Sequence, residues 1–395
     1  MNILIVNQHT LNYGDDIAGK ALVQQLLKKF SNEKSLKINI IYNTHGEIEF
    51  NDERVSNRSE ITLKKMGALN ILFFMIISLF KKNIAFGSQM KLYRKLIQDS
   101  QYVFVSPSGA NIGIYTDWRF LIKVWLVVSF NGTPIFHNNT IGKSKNILFN
   151  WYADKVLKSS NIYVREEASL KYLKSKKIFS IRSVDTGFLF ENKKPVNLKE
   201  EKYNVFIPTQ VNNWHPDFKD NNPSRNIENV FRKFLSFSEN NNMNVKILPH
   251  LYGEKYEKKL LESFLEIAAN DFPGVDTKIA IINCAEDYDN VIAQANFVLS
   301  MRYHGVVMAV KNVVPFISIA YENKMSEVCN YSGVGQLNFN LKDVELLNEI
   351  NFNRVWNERN EIKIVLEANV ILIKEACKTC LNQINFLSET VRLDE

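Results

Sequence analysis

Residues 297–324 read FVLSMRYHGVVMAVKNVVPFISIAYENK. Phe297–Ser300 is a short apolar run of the kind that forms a buried strand, Val306–Val310 is an apolar stretch with helical character, and Phe316–Ile319 follows Pro315 as a second buried strand. Strand, helix and strand in this order are the unit of a parallel sheet with crossover helices. The polar residues fall where the first strand ends and the helix begins, and again where the second strand ends.

The same grammar extends in both directions. Towards the N-terminus, Val205–Pro208, Val245–Leu248 and Ile279–Ile282 read as further strands of this sheet. Ile3–Val6, Ile38–Tyr42, Tyr102–Val105, Pro134–His137 and Ile162–Val164 read as strands of another, with a helix from about Ile17 to Phe30 after the Gly14 turn. The chain has 395 residues, more than one hydrophobic core usually organises. The polar stretch Glu191–Tyr203 reads as a linker, which puts the boundary near Pro195 and gives domains 1–195 and 196–395. The expected fold is α/β: two Rossmann-like domains facing a cleft, in the GT-B manner, followed by C-terminal helices. Ligands then bind at the carboxyl ends of the strands, with the N-terminal domain as acceptor side and the C-terminal domain as donor side. After Leu341 the chain reads as helical, with Ile362, Val365, Leu366, Val370, Ile371 and Ile373 as a largely buried face able to cross back onto the first domain.

Composition narrows the class. Hydrophobic residues make up 46% and charged residues 23%, which suits a folded globular chain and excludes a fibrous or disordered one. Lys and Arg number 49 against 42 acidic residues, a net charge of +7, which fits an anionic substrate or lipid surface; no nucleic-acid motif accompanies it. Four cysteines do not make a disulfide framework, and the pair Cys377 and Cys380 reads as incidental on a helix. The N-terminus lacks a basic leader and a cleavage site, so a cytoplasmic location is expected. The apolar run Ile71 to Phe80 is shorter than the ~20 residues that span a bilayer. It reads as a buried helix or a lid, with a helix lying on the inner face of a membrane, its flanking Lys64, Lys65, Lys81 and Lys82 at the headgroups, as the alternative.

The chemistry concentrates on Arg302, His304 and Lys324. A helix N-terminus offers backbone N–H groups and a positive dipole end, arginine grips phosphate or carboxylate with two donors, and histidine moves a proton near neutral pH. Lys324, at the end of the next strand, brings a second cation to the same edge. His250 follows another strand of this half, as does Gln210. Asp15, on the first strand-to-helix turn, is either a base for a hydroxyl or a helix cap. Asn12, Ser108 and Asn111 are further strand-end polar residues. Arg165 reads as a structural partner of a carboxylate. His9, His45, His137 and His215 have no partner that the sequence identifies. No HExxH, paired CxxC set or calcium loop is present, so neither a metal nor a resident cofactor is expected.

The segment SMRYHGVVMAVKNVVPFISIAYENK resembles the signature of the polysaccharide pyruvyltransferases, with Ser-x-Arg-x-His, an apolar helix, a Val-Pro strand and Tyr-x-x-Lys. Asn12-Tyr13-Gly14-Asp15 is similar to that family's Asn-x-Gly-Asp turn, Val164-Arg165-Glu166 with Ser169 and Leu170 to its mid-chain motif, and Asp185 to an Asp it often carries. One glycine at Ser106–Asn111 and Lys143 after Ile141-Gly142 depart from the pattern. The resemblance implies transfer of the enolpyruvyl group of phosphoenolpyruvate to two hydroxyls of a sugar or lipid-linked saccharide, releasing phosphate and leaving a pyruvate ketal. From the demands of that chemistry and their strand-end positions, His304 is expected as general acid, with Arg302, Lys324 and His250 on the donor anion, Asp15 as catalytic partner, and Asn12, Ser108, Asn111 and Gln210 on the acceptor. Two other classes fit the same residues: a GT-B glycosyltransferase using a nucleotide sugar, and a non-catalytic carbohydrate-binding protein.

Overall fold

The computed structural model describes residues 1–44, 46–194, 202–211, 218, 223–252 and 255–383. The expected boundary at Pro195, His45 and His215 lie outside them. The chain divides into two compact units: Met1–Leu11, Asp15–Phe190 and Glu375–Glu395 form the first, and Asn12–Gly14 with Glu191–Lys374 the second.

The first unit is a seven-stranded parallel sheet of β1 (Asn2–Gln8), β2 (Lys37–Tyr42), β3 (Val55–Asn57), β4 (Tyr102–Val105), β5 (Pro134–Asn139), β6 (Asn161–Val164) and β7 (Ile181–Arg182). Their order is β3-β2-β1-β4-β5-β6-β7. Both faces are covered by helices, so β1 is apolar on both sides. Leu4 and Val6 enter one core with Val103, Phe120 and Phe136, while Ile3 and Ile5 enter the other with Ile38, Ile40 and Phe104. β1 and β5 each end in a bulge around an asparagine in the left-handed region, Asn7 (φ 62°) and Asn138 (φ 58°). Asparagine tolerates that conformation better than most residues. The bulges bring Gln8–His9 and Asn139 to the carboxyl ends of the strands.

The second unit is a six-stranded parallel sheet of β8 (Tyr203–Ile207), β9 (Asn244–Ile247), β10 (Thr277–Ile279), β11 (Phe297–Ser300), β12 (Phe316–Ala320) and β13 (Asn338–Asn340), ordered β10-β9-β8-β11-β12-β13. Strand order reverses between β8 and β11, the place in such a sheet where ligands bind. β10 stops at Ile279 rather than running to Ile282: among the described residues it is an edge strand paired only with β9, and Ile281 beyond it is exposed.

Two expectations about helices are corrected. On the helix Arg359–Cys377 the buried face is Ile362, Leu366, Val370 and Ile373, the three- and four-residue spacing of one stripe; Val365 and Ile371 fall outside it. The run Ile71–Phe80 is not buried: of the helix Ala68–Ile77, Phe74 and Met75 enter the core while Leu69, Leu72, Phe73 and Ile76 face outward. At the C-terminal end the chain returns to the first unit. Cys380 and Leu381 pack with Ile3 and Ile38, and Cys377 Sγ donates to the Asp185 carbonyl at 3.2 Å. Burial pushes both thiols of the CxxC pair well above their ordinary pKa.

Candidate functional site

In the second unit β11 is fully buried between β8 and β12, so the first place the chain can expose polar groups is the turn after Ser300. Ser300 Oγ donates to the Arg302 carbonyl (2.9 Å) and accepts the Arg302 N–H (3.1 Å), which shapes the turn. Arg302 is the N-cap of the helix Tyr303–Lys311. A Cβ on Gly305 would lie 2.3 Å from Ser300 Oγ and 2.6 Å from Ile207 Cδ1, so glycine is what lets the helix start against the sheet.

Arg302 is held from two sides. Its Nε donates to the Pro208 carbonyl at 3.3 Å, after β8, and its Nη2 lies 3.4 Å from Glu257 Oε1. Glu257 is buried, and its carboxylate accepts the backbone N–H of His250 (3.1 Å to each oxygen) and of Leu251 (2.6 Å). One carboxylate thus fixes both the arginine and the turn carrying His250. Buried charges need such partners, and charge-assisted bonds of this kind are the stronger ones.

His250 and His304 are both buried and stack with ring centroids 6.4 Å apart and an 18° interplanar angle. Burial first, then the charges of Arg302, His304 and Lys324, pushes the His250 pKa well below 6.5, so it is neutral at pH 7. The Tyr288 phenol, kept protonated by burial, lies 3.2 Å from His250 Nδ1. Donation from that hydroxyl leaves the imidazole proton on Nε2. Lys324 Nζ pairs with Glu322 Oε2 at 2.7 Å and stands 5.5 Å over the Tyr303 ring, which in turn meets His304 edge-on at 5.0 Å. Arg302, His304, His250 and Lys324 are therefore one cluster.

Asn12–Gly14 belongs to this unit. Asn12 pairs with Leu251, Tyr13 N donates to the His250 carbonyl (3.0 Å), and Tyr13 Oη donates to the Ile282 carbonyl (2.8 Å). Gly14 backs directly onto His304: a Cβ there would lie 2.0 Å from Nδ1, 2.3 Å from Cγ and 2.6 Å from Cβ of the histidine. The Asn-x-Gly turn is thus a packing surface for the histidine ring. Gln210, two residues after Pro208, lines a cavity of 340 Å³ together with Ser224, Glu228, Lys259 and Ser263 among others.

Ser108, Asn111 and Asp15 lie in the first unit, around a partly buried polar network that sequence reasoning missed. Asn43 is its hub: its Oδ1 accepts from Lys123 Nζ (3.1 Å), and its Nδ2 donates to Asp117 Oδ2 (2.9 Å) and faces His9 Nε2 (3.2 Å). Asn111 Nδ2 also faces His9 Nε2 at 3.2 Å. With two amide donors on Nε2, the imidazole proton sits on Nδ1. Burial lowers the His9 pKa despite Asp15 and Asp117, and brings Lys123 down to about 7. Ser108 Oγ accepts from Asn139 Nδ2 at 3.0 Å. Asp15 sits in the first turn of the helix Tyr13–Lys29, where a negative charge complements the dipole. Arg165 takes the structural role expected: it pairs with Asp185 at 2.6 Å, both buried, and its Nε donates to Thr140. Among the described residues no group of three His, Cys, Asp or Glu could hold a metal ion.

Two doubly wound units, one carrying arginine and histidine at a strand-to-helix turn of its switch point, define a protein of two Rossmann-like units. The polysaccharide pyruvyl transferase model matches residues 12–323, and the chain belongs to that family; it is a transferase. No curated protein matches it in sequence. Solved structures similar in fold include the S. aureus MnaA–UDP co-structure (11% identity, TM-score 0.60, covering 98% of this chain and 97% of that one). UDP-GlcNAc 2-epimerase from Neisseria meningitidis bound to UDP-GlcNAc (10%, TM-score 0.55, 97% and 99%) and sucrose-phosphate synthase from Thermosynechococcus elongatus (8%, TM-score 0.56, 100% of both chains) are others. The fold is that of GT-B enzymes.

Proposed function

We propose that the chain transfers the enolpyruvyl group of phosphoenolpyruvate to two hydroxyls of one sugar in a surface polysaccharide or its precursor. The observation that carries this reading is the cluster of Arg302, His304, His250 and Lys324 at a helix N-terminus, with His250 kept neutral beside the cations. One hydroxyl oxygen bonds to the central carbon of the donor while its methylene carbon takes a proton to become the methyl group. The second hydroxyl oxygen then bonds to the same carbon as the bond to phosphate breaks, and both hydroxyl protons leave. The step needs a positioned acid and a clamp for a departing anion, and no electron changes hands.

His304 is the proposed acid, held in place by Gly14 and Tyr303. Arg302 grips donor phosphate or carboxylate, with Lys324 as second cation and His250 as a neutral donor. Each of the two cations already has a carboxylate neighbour, Glu257 or Glu322, so the site is organised before the donor arrives. Asp15 is the proposed acceptor of a hydroxyl proton. Asn12, Ser108, Asn111 and Gln210 are proposed contacts to the sugar.

The test is incubation with phosphoenolpyruvate and a panel of sugars, free, nucleotide-linked and lipid-linked, reading phosphate release and the ketal methyl signal by NMR. Sugar-dependent release with ketal formation, lost in folded His304→Ala, is the expected result. Release of UDP from a nucleotide sugar, with no ketal, would replace this reading with glycosyl transfer.

A further inference from the structure

Among the described residues no helix is long and apolar enough to cross a membrane. Yet the first unit exposes several large apolar side chains on one helix. On and just after the helix Ala68–Ile77, Leu69 is 71% exposed and Phe80 88%, and Leu72, Phe73 and Ile76 are exposed between them. Phe74 and Met75, on the opposite side, are locked into the core. The helix is therefore anchored by one edge and leaves large side chains in water on the other, which isolated surface hydrophobes do not do.

A second helix with exposed apolar residues packs beside it. Tyr152 Oη donates to the Met75 carbonyl at 3.1 Å, placing the helix Ile147–Lys158 beside it. That helix exposes Ile147, Leu148 and Trp151, and Lys155 Nζ stands 4.5 Å over the Trp151 ring. Tryptophan with a lysine is the pairing found where an apolar body meets charged headgroups.

Charge decides the occupant. Lys64, Lys65, Lys81 and Lys82 flank the first helix and are exposed, and Lys145 and Lys155 are exposed on and beside the second. From Ile61 to Gln98 the chain carries seven basic residues and no Asp or Glu. A second copy docking its own face here would set lysines against lysines. An anionic bilayer would take the apolar side chains between its headgroups and pair with the rim.

We propose that the face formed by Ala68–Phe80 and Ile147–Trp151 docks the first unit on an anionic lipid surface. Joined to the pyruvyl-transfer reading, on which this further step rests, the acceptor such a face would serve is a bilayer-held saccharide. The docking itself is measured with neither donor nor acceptor, so its failure is separate from failure of the transfer reading.

The experiment is sedimentation of the full chain with vesicles of phosphatidylcholine alone or with about a third phosphatidylglycerol. Wild type should bind the anionic vesicles, at least about tenfold more weakly on neutral ones, and lose binding as salt rises. Leu72→Ser/Phe73→Ser and, separately, Lys81→Glu/Lys82→Glu should each weaken anionic binding about tenfold or more, with melting unchanged because these side chains are exposed. No binding by wild type, equal binding to both vesicles, or variants that bind like wild type would overturn the proposal. So would a wild-type dimer in sedimentation equilibrium that Leu72→Ser/Phe73→Ser converts to monomer.

Discussion

Gly14→Ala isolates the packing of the Asn-x-Gly turn against the proposed acid. The added Cβ would lie 2.0 Å from His304 Nδ1 and 2.6 Å from His304 Cβ, against about 3.5 Å for a relaxed contact. Gly14 is not in the left-handed region, so alanine brings no backbone strain and gains about 1 kcal/mol from helix propensity. Overpacking costs about 1–3 kcal/mol and acts the other way. The net effect on stability in the wild type is thus a loss of about 0–2 kcal/mol, but the histidine must move whatever the net. In His304→Gly the clash is gone and only the propensity gain is left, so Gly14→Ala should be neutral or stabilising there. His304→Ala should fall between, because its Cβ still collides. Denaturant unfolding of the four-variant cycle should give a coupling of about 2 kcal/mol between positions 14 and 304, and donor binding should weaken at least about tenfold in Gly14→Ala. A coupling below about 0.5 kcal/mol, with unchanged donor affinity, would mean that Gly14 does not pack against His304.

Arg165→Ala strips Asp185 of its buried partner and should cost about 3–5 kcal/mol in urea unfolding. A change under about 1 kcal/mol would mean that the pair is not desolvated. Lys123 titrates near 7 in the fold against 10.5 when unfolded, so the unfolded chain holds the extra proton between those values and stability rises with pH across them. Wild-type stability minus that of Lys123→Met should therefore rise from pH 7 to 10; a flat difference contradicts the burial argument. His137, lowered to about 4 by burial, stays neutral in the fold while the unfolded chain protonates below 6.5, so its contribution is lost as pH falls from 6.5 to 4. His137→Gln should reduce the acid slope of stability by about 1.4 kcal/mol per pH unit in that window, and an unchanged slope would place His137 in water.

The sequence made the sheet interiors legible because a strand covered on both faces must be apolar throughout. Tyr102–Val105 and Phe297–Ser300 have the bounds read from sequence. What escaped were β3, β7 and β13, two or three residues long and partly polar, such as Asn338-Phe339-Asn340; an edge strand is made by its neighbour, not by its own pattern. Arg302, His304 and Lys324 were visible because they sit at the ends of readable strands. Glu257 was not, since it lies within a helix and its role comes from backbone amides seven and six residues before it. His9 was dismissed for a similar reason: Asn43, Asn111 and Asp117 come from separate segments that only the fold assembles. The run Ile71–Phe80 misled because hydrophobicity reports a need for a cover and not what supplies it.

Pyruvyl transfer as proposed requires phosphoenolpyruvate to bind at the Arg302–His304 turn. Isothermal titration of the protein with phosphoenolpyruvate and separately with UDP, in wild type and in Arg302→Ala, tests it most directly. Saturable binding of phosphoenolpyruvate that disappears in a folded Arg302→Ala is the expected result. Binding of UDP in its place, or phosphoenolpyruvate binding that survives the loss of Arg302, would contradict it.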